Sequence, residues 1–366
     1  MVDRVEGGVP KAVRSYIENS PKEFTHLVLS PFHEGQPALV WQGLAVEHHD
    51  LGTGLFKRIS TVGTAVKLLK PHVVHAHSSF SGLYTRVRRL PAPVVYAPHC
   101  FKHDDPHTSP AKRAIYRNAE KFLARRTWKF GTLSAHEEKL VRALSPAATC
   151  VAIPNLPTVA PRTAESRPVD SSPVDSSPVD SSPVESSPAK PHPRTSQAIP
   201  VVSMAGRIAR QKDPAFFRDV AVALRGMVPS VRFQWIGDGD PELRRILEEA
   251  GIEVTGWLNN TGVADSLASS AVYVHTASYE GFPLSILDAA AQGVPIAARS
   301  INALQGSGLL QAVDADGVAG LVAAILNHPE SEERALAANQ ALLARMNRAT
   351  LHTALRDLYD LKGPDR

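Results

Sequence analysis

The feature that most limits how this chain folds is a tract at residues 160–198. Within it Ser-Ser-Pro-Val-Asp recurs every five residues and closes with Glu185 in place of Asp. A stretch rich in Pro and Ser, with no aromatic residue, buries too little surface to offset chain entropy. It reads as an extended, disordered spacer with polyproline character, the alternative being a phosphorylated or partner-binding tract. The spacer divides 366 residues, more than one core usually supports, into two halves.

Both halves alternate short β-branched runs with amphipathic stretches. In the second half, Val201–Ala205, Val231–Ile236, Glu253–Thr255, Val272–His275 and Val294–Ala297 read as strands. Between them, Pro214–Met227, Glu242–Ala250, Val263–Ser269 and a segment from Pro283 read as helices. The first half offers strands at Thr25–Leu29, Val73–His77 and Val94–Ala97, with a helix around Lys67. This alternation predicts α/β architecture: two doubly wound, Rossmann-like domains with parallel sheets and helices on both faces. Ligands of such sheets sit at the carboxyl ends of strands, and Arg207, Asp238 and Glu280 all follow strands. The boundaries expected are residues 1–155 for the first domain, 156–198 for the spacer and 199–340 for the second domain. Residues 341–366 would be a C-terminal helix, periodic from Ala341 to Leu361, that crosses back to the first domain. Gly7-Gly8-Val9-Pro10 looks like a Gly-rich turn entering a helix, yet only Val2 to Val5 precede it. A first strand therefore looks missing, and the expectation is a recorded start placed too far downstream.

The richest chemistry lies in Tyr279-Glu280-Gly281-Phe282-Pro283-Leu284-Ser285-Ile286-Leu287-Asp288. A Pro at the first helical position has its φ preset and loses no needed hydrogen bond. The free amides of Phe282, Leu284 and Ser285 then attract an anion, phosphate above all. Helical side chains lean toward the N-terminus, so Asp288 reaches back toward the same ligand. An anion cradle flanked by two carboxylates suits a molecule with both phosphate and hydroxyl groups, such as a nucleotide sugar. Gly206-Arg207 followed by Lys212 supplies two cations on a strand-to-helix loop, a planar fork and a point charge suited to a diphosphate.

Residues 1–155 hold 21 Lys and Arg against 12 Asp and Glu, whereas residues 199–366 hold 15 against 19. A basic first half faces something anionic. Lys112, Arg113, Arg117, Lys121, Arg125, Arg126 and Lys129 interleave with Ile115, Tyr116, Phe122, Leu123 and Trp128, so segment 112–129 reads as a basic amphipathic helix. It suits an anionic membrane surface or is simply a solvated face. Nucleic acid is not expected, because no recognition motif accompanies the charge. No apolar run is long enough to span a bilayer. Two cysteines, Cys100 and Cys150, form no framework, which points to a reducing, cytoplasmic compartment. His75-x-His77 with His99 invites a metal reading, but no further ligands cluster at comparable strand ends, so no metal is expected. Cys100 beside His99 is not taken as a nucleophile, since adjacency in sequence does not place a base in space.

Together these residues resemble the retaining GT-B glycosyltransferases of family four, also called group 1. The resemblance rests on Gly206-Arg207 with Gln211-Lys212-Asp213, on Ile236-Gly237-Asp238-Gly239 and on Glu280-Gly281-Phe282-Pro283. In the first half it rests on Gly7-Gly8, Val73-Val74-His75-Ala76-His77-Ser78, Tyr96-Ala97-Pro98-His99 and Ile153-Pro154-Asn155. It implies transfer of a hexosyl group from a nucleotide-diphosphate sugar to a lipid-linked or polysaccharide acceptor, with retention and without cofactor or metal. Arg207 and Lys212 would hold the diphosphate. Glu280 and the amides of Gly281, Phe282 and Leu284, around Pro283, would meet sugar and phosphate. Asp288 would take the ribose hydroxyls, the base would lie near Gly237 and Gly256-Trp257, His99 would sit by the reacting carbon and Gly8 by the diphosphate. Three departures stand out: Asp288 where the family has Glu, Cys100 where Gly is common, and a shortened loop from Ser300 to Asp316. The rival expectations are a GT-B sugar-nucleotide epimerase and a GT-B protein that has lost turnover.

Overall fold

The computed structural model describes residues 1–162 and 199–360. Most of the repeat tract therefore lies outside the described residues. The first domain contains α1 (Gly8–Glu18), β1 (Leu27–Ser30), a hairpin of β2 (Phe32–His33) and β3 (Gln36–Pro37), β4 (Glu47–Asp50) and α2 (Leu55–Leu69). It continues with β5 (Val74–His77), α3 (Ser79–Arg86), β6 (Val94–Ala97), α4 (Pro110–Ala124), β7 (Lys129–Thr132), α5 (Ala135–Leu144) and β8 (Cys150–Ala152). The second contains β9 (Val201–Ala205), α6 (Pro214–Met227), β10 (Arg232–Ile236), α7 (Pro241–Glu249), β11 (Glu253–Val254), α8 (Asn260–Ala268) and β12 (Val272–His275). After these come α9 (Leu284–Ala291), β13 (Ile296–Arg299), β14 (Leu310–Ala312), α10 (Ala315–Asn327), α11 (Pro329–Arg345) and α12 (Arg348–Tyr359).

The second sheet is fully parallel in the order β11-β10-β9-β12-β13-β14. The order reverses between β9 and β12, the switch point at which doubly wound sheets bind ligands. Both sides of this sheet are covered, which is why Val202, Met204, Val272 and Val274 are fully buried. The first domain repeats the plan with one strand reduced to a stub. Val2 bridges His77 in parallel, its amide donates to Leu29 O at 3.0 Å, and His77 N donates to Met1 O at 3.1 Å. Met1–Asp3 thus fills the slot between the β1–β4 pair and the sheet β5-β6-β7-β8. Val2 makes a single bridge in this slot, not a full strand. Asp3 is buried beside it and accepts hydrogen bonds from Ser78 and Ser81 at the start of α3.

Several expected boundaries shift. Residues 156–162, assigned to the disordered spacer, are packed: Leu156 and Val159 are buried, and Arg162 N donates to Ala291 O. The C-terminal helix is two helices. Asn347 stops continuity by capping α12, its side chain accepting from Thr350 N at 2.9 Å. The basic segment ends as a helix at Ala124, and Lys129 already belongs to β7, where its ammonium meets carbonyls of Asp357 and Asp360.

Helix α12 crosses back as expected. Its Leu351, Leu355 and Leu358 pack with Ala12, Tyr16, Val95 and Ile153 of the first domain. Replacing the fully buried Leu355 by Ala should therefore destabilise the first domain by about 2–5 kcal/mol. Urea unfolding followed by tryptophan fluorescence measures this, and a change below about 0.5 kcal/mol would mean α12 is dispensable.

Candidate active site

The loop after β9 and the loop after β12 meet at the switch point. Gly206 carries φ +150° and Gly237 φ +135°; a Cβ on Gly237 would lie 2.4 Å from Gly206 O. A Cβ on Gly239 would lie 2.2 Å from Ile208 O. Only glycine lets the loops that follow β9 and β10 approach this closely. Trp235 Nε1 donates to Gly206 O at 2.8 Å and holds the first loop from below.

The Gln211–Lys212–Asp213 segment is pinned to the 276–280 loop. Ser278 N donates to Gln211 O at 2.9 Å, Gln211 Nε2 donates to Tyr279 O at 3.1 Å, and Thr276 Oγ1 donates to Lys212 O at 2.7 Å. Lys212 Nζ and Glu280 Oε1 form an ion pair at 2.5 Å, both side chains mostly shielded. Asp213, in the left-handed region, caps α6 through Phe216 N and pairs with Arg299 Nη1 at 2.7 Å. Arg207 stands exposed on the same first loop. Of the expected cations, Lys212 is therefore fixed against Glu280 and Arg207 is exposed.

Pro283 is the N-cap residue and α9 begins at Leu284, one residue later than the sequence suggested. Across the cleft, a Cβ on Gly8 would lie 3.8 Å from Leu284 Cδ1, so the N-termini of α1 and α9 face each other. Gly281 packs against the first domain: its Cβ would meet Leu133 Cδ1 at 3.0 Å and backbone atoms of His99 and Cys100 at 3.1 Å. Phe282 is buried, and its carbonyl accepts from Asn155 Nδ2 at 3.0 Å. Gly237 bridges Gly256, and its amide donates to Thr255 Oγ1 at 3.1 Å, while the Trp257 side chain is 67% exposed.

Asp288 departs from expectation. It is buried, and its carboxylate is engaged by the chain leaving the first domain. Oδ1 accepts from Thr158 N at 2.5 Å and Val159 N at 3.3 Å, and Oδ2 accepts from Thr158 Oγ1 at 2.9 Å. The side chain, one methylene short of Glu, ends at the Thr158–Val159 turn. Burial pushes its pKa up against the pull of those hydrogen bonds.

His99 and Cys100 both lie in the left-handed region, φ 52° and 86°. Glu137 holds this turn: Oε1 accepts from Cys100 N and Oε2 from Leu133 N, each at 2.8 Å. Glu137 also stands three residues after the N-cap Ser134, whose Oγ accepts from Glu137 N. The Ser-x-x-Glu pattern was a visible signal; its reach to Cys100 was not. Burial raises the Glu137 pKa from 4.5 to about 7. Burial, then Glu137, raises the Cys100 thiol well above its ordinary value, against a role as nucleophile. His99 and His77 are hydrogen-bonded, Nε2 to Nδ1, at 3.0 Å, and His75 stacks on His77 with ring centres 3.8 Å apart. Burial lowers His99 to about 4 and His75 and His77 well below their ordinary value, so all three are neutral near pH 7. Sequence reading also missed the first-domain loop carrying Asp105 and His107, where His107 Nε2 meets Ser278 Oγ at 3.0 Å.

Comparison with known proteins decides the family. Residues 7–156 match the "Glycosyl transferase 4-like domain" and residues 199–343 match "Glycosyl transferases group 1". The chain belongs to the group 1 glycosyltransferases. It is 31% identical over 113 residues to the Escherichia coli UDP-Gal:alpha-D-GlcNAc-diphosphoundecaprenol alpha-1,3-galactosyltransferase, a match covering 28% of each chain. In structure it is similar to sucrose-phosphate synthase from Thermosynechococcus elongatus, with TM-score 0.76, 17% identity and coverage of 98% and 94%. It is also similar to Anabaena HepE in complex with UDP-glucose, with TM-score 0.72, 12% identity and 98% of both chains covered. The two-domain GT-B fold is thereby established.

The raised Glu137 pKa has a checkable sign. The folded state holds a proton there that the unfolded state releases above pH 4.5. The associated stability is full below that value and is lost as pH rises through about 7. The stability of the native protein minus that of Glu137→Gln should therefore fall between pH 5 and 8, roughly the span of that titration. Paired urea melts across this range test it, and a difference independent of pH would contradict it.

Proposed function

We propose that this glycosyltransferase moves a hexosyl group from a nucleotide-diphosphate sugar to a lipid-linked or polysaccharide acceptor, with retention and without metal. The observation that carries the reading is the Lys212–Glu280 pair on two loops tied together beside the N-terminus of α9. Departure of a nucleoside diphosphate leaves an oxocarbenium-like sugar and a doubly charged leaving group. Preorganised cations and amide dipoles lower that barrier because they need no reorganisation as charge develops. In this reading Lys212 exchanges Glu280 for the diphosphate, Arg207 closes on its other side, and Glu280 turns to the sugar. The Leu284 and Ser285 amides face the phosphate, with Gly8 opposite. Gly237 and Gly256-Trp257 border the base, and His99 meets the sugar near its reacting carbon. Asp288 reaches ribose only by sharing its carboxylate with Thr158. A diphosphate-linked lipid acceptor, as named for the Escherichia coli relative, matches the basic first half.

A thermal-shift panel of uridine, guanosine and adenosine diphosphate sugars tests donor binding. One donor at about 100 times its Kd should stabilise the fold by about 2.7 kcal/mol, and Arg207→Ala should lose most of that rise. Lys212→Ala should lower kcat/KM by roughly 10²–10³. A chain that binds no nucleotide sugar would overturn the reading, and conversion of the donor alone, seen by NMR, would make it an epimerase.

The membrane face follows from α4 in the same reading. Ile115 is 66% and Phe122 55% exposed, beside the exposed Lys112, Arg117, Lys121 and Arg125. Apolar insertion with basic flanks fits anionic lipid. None of the described helices is long and apolar enough to cross a membrane. The chain should sediment with phosphatidylglycerol vesicles and not with phosphatidylcholine vesicles, and Ile115→Ser with Phe122→Ser should weaken this at least roughly tenfold. Equal binding to both lipids would remove the proposal.

A further inference from the structure

Between α4 and α5 of the first domain lies a cavity of about 600 Å³ whose two walls differ in kind. Arg113, Arg117 and Lys121 stand on the α4 wall at four-residue spacing, which brings them onto one stripe of the helix. Leu140 and Ala143 stand on the α5 wall. Two carboxylates that could neutralise the stripe are already engaged. Glu120, the one acid of α4, is buried and pairs with Arg86 Nη2 at 2.8 Å. Asp104, which lines the cavity, pairs with His136 Nε2 at 2.8 Å. None of the three cations pairs with a carboxylate among the described residues. Like charges at this spacing destabilise a helix, so the stripe is a cost to the fold until an anion meets it. Arg113 is held in place, because its Nε donates to His103 O at 3.0 Å. His103 lines the same cavity at 8% exposure, and its Nδ1 is buried without a partner. Buried polar atoms are ordinarily bonded, so the protein leaves this end unsatisfied.

We propose that this cavity is the subsite for the diphosphate of a lipid-linked acceptor, with the α4 cations on the phosphates and the first carbons of the lipid chain on Leu140 and Ala143. This rests on the reading that the acceptor is a diphosphate-linked lipid. Two guanidinium forks and an ammonium suit a doubly charged diphosphate diester. The facing apolar wall suits what a free phosphate lacks. The place is also right. His103 follows His99 by four residues, so their Cα atoms are at most about 14 Å apart. Helix α5 reaches the same turn through Glu137, which accepts from Cys100 N. A sugar joined to a diphosphate in the cavity therefore extends toward His99. The membrane-facing side of α4 is separate, with Phe122 about 140° round the helix from Arg117.

The test is titration calorimetry of the full chain with farnesyl diphosphate, farnesol and inorganic diphosphate. Farnesyl diphosphate should bind at least roughly tenfold tighter than either of the others. Arg117→Gln with Lys121→Gln should weaken it by roughly 10²-fold. Ala143→Asp sets a carboxylate in the cavity from the other wall and should weaken it as much, while binding to phosphatidylglycerol vesicles persists. The thermal shift with nucleotide sugar should persist in every variant, which shows that each is folded. Native affinity in Ala143→Asp would overturn the proposal, as would displacement of farnesyl diphosphate by uridine diphosphate. Equal affinity for inorganic diphosphate would assign the cavity to the free ion, and displacement by phosphatidylglycerol vesicles would assign it to a phospholipid headgroup; either removes the acceptor subsite. A chain that transfers sugar but ignores farnesyl diphosphate would fail this inference alone. One that binds farnesyl diphosphate but no nucleotide sugar would fail the transferase reading alone.

Discussion

Asn155 is the joint on which the two-domain site depends. It is 3% exposed and lies where the chain leaves the first domain. Its Oδ1 accepts from Tyr16 OH on α1 at 2.7 Å, and its Nδ2 donates to Phe282 O at 3.0 Å. A Tyr hydroxyl donor on one side and a carbonyl acceptor on the other leave only one orientation for the amide. One buried side chain therefore fixes α1, the departing linker and the loop before α9 in a common frame. Burial of these polar groups is tolerable only while each bond is made, which is what gives the joint its register.

The remaining contacts across the cleft are close because backbone meets backbone. Gly281 lies at 3.0–3.1 Å, measured from an added Cβ, to the His99–Cys100 turn and Leu133. That turn carries two non-glycine residues at positive φ, a cost of order 1–3 kcal/mol each. The Glu137 carboxylate, which accepts from Cys100 N and is itself held by Leu133 N, keeps it in place. The side chain of Cys100 is accommodated at its positive φ by this support. On the opposite side, Lys212 and Glu280 neutralise each other in a shielded place. A buried pair of this kind adds little net stability but is costly to break one-sidedly. In the proposed reading, an incoming diphosphate would replace Glu280 as the partner of Lys212, and the freed carboxylate would accept hydrogen bonds from sugar hydroxyls.

Much of this was legible from residues alone because the signals were local. The strands after which Gly206, Gly237 and Glu280 stand bury apolar residues at alternate positions, Val202 and Met204, Phe233 and Trp235, Val272 and Val274, and period alone separates them from helices. The glycine positions followed from strand-to-loop junctions. What could not be read involves partners distant in sequence. Glu137 meets Cys100 across 37 positions, Asp288 meets Thr158 across 130, and His75 meets Tyr359 across 284. No periodicity encodes such pairs. The pairing of Met1–Asp3 belongs to the same class, because the bridge from Val2 reaches His77, far along the chain. The break at Asn347 was missed because the apolar period runs through it, while the capping bond that stops α11 from continuing is a single side-chain contact.

The shortened acid at 288 links these observations. A Glu would place its carboxylate about 1.5 Å farther along, beyond the two amides of Thr158 and Val159 that Asp288 now accepts. Asp is therefore matched to the linker, and the match makes residues 158–162 part of the second domain, together with Gln292 Nε2 on Ala160 O and Arg162 N on Ala291 O. The chain is anchored on the second-domain side from Thr158 onward and on the first-domain side by Ile153 and Leu156 in the α12 core, so Pro157 alone lies between the two anchored stretches. Asn155 lies on the first-domain side of that point. Any opening of the cleft must then lengthen the bond from Asn155 to Phe282 O or the bond from Tyr16 to Asn155, so opening is coupled to the loop that precedes α9.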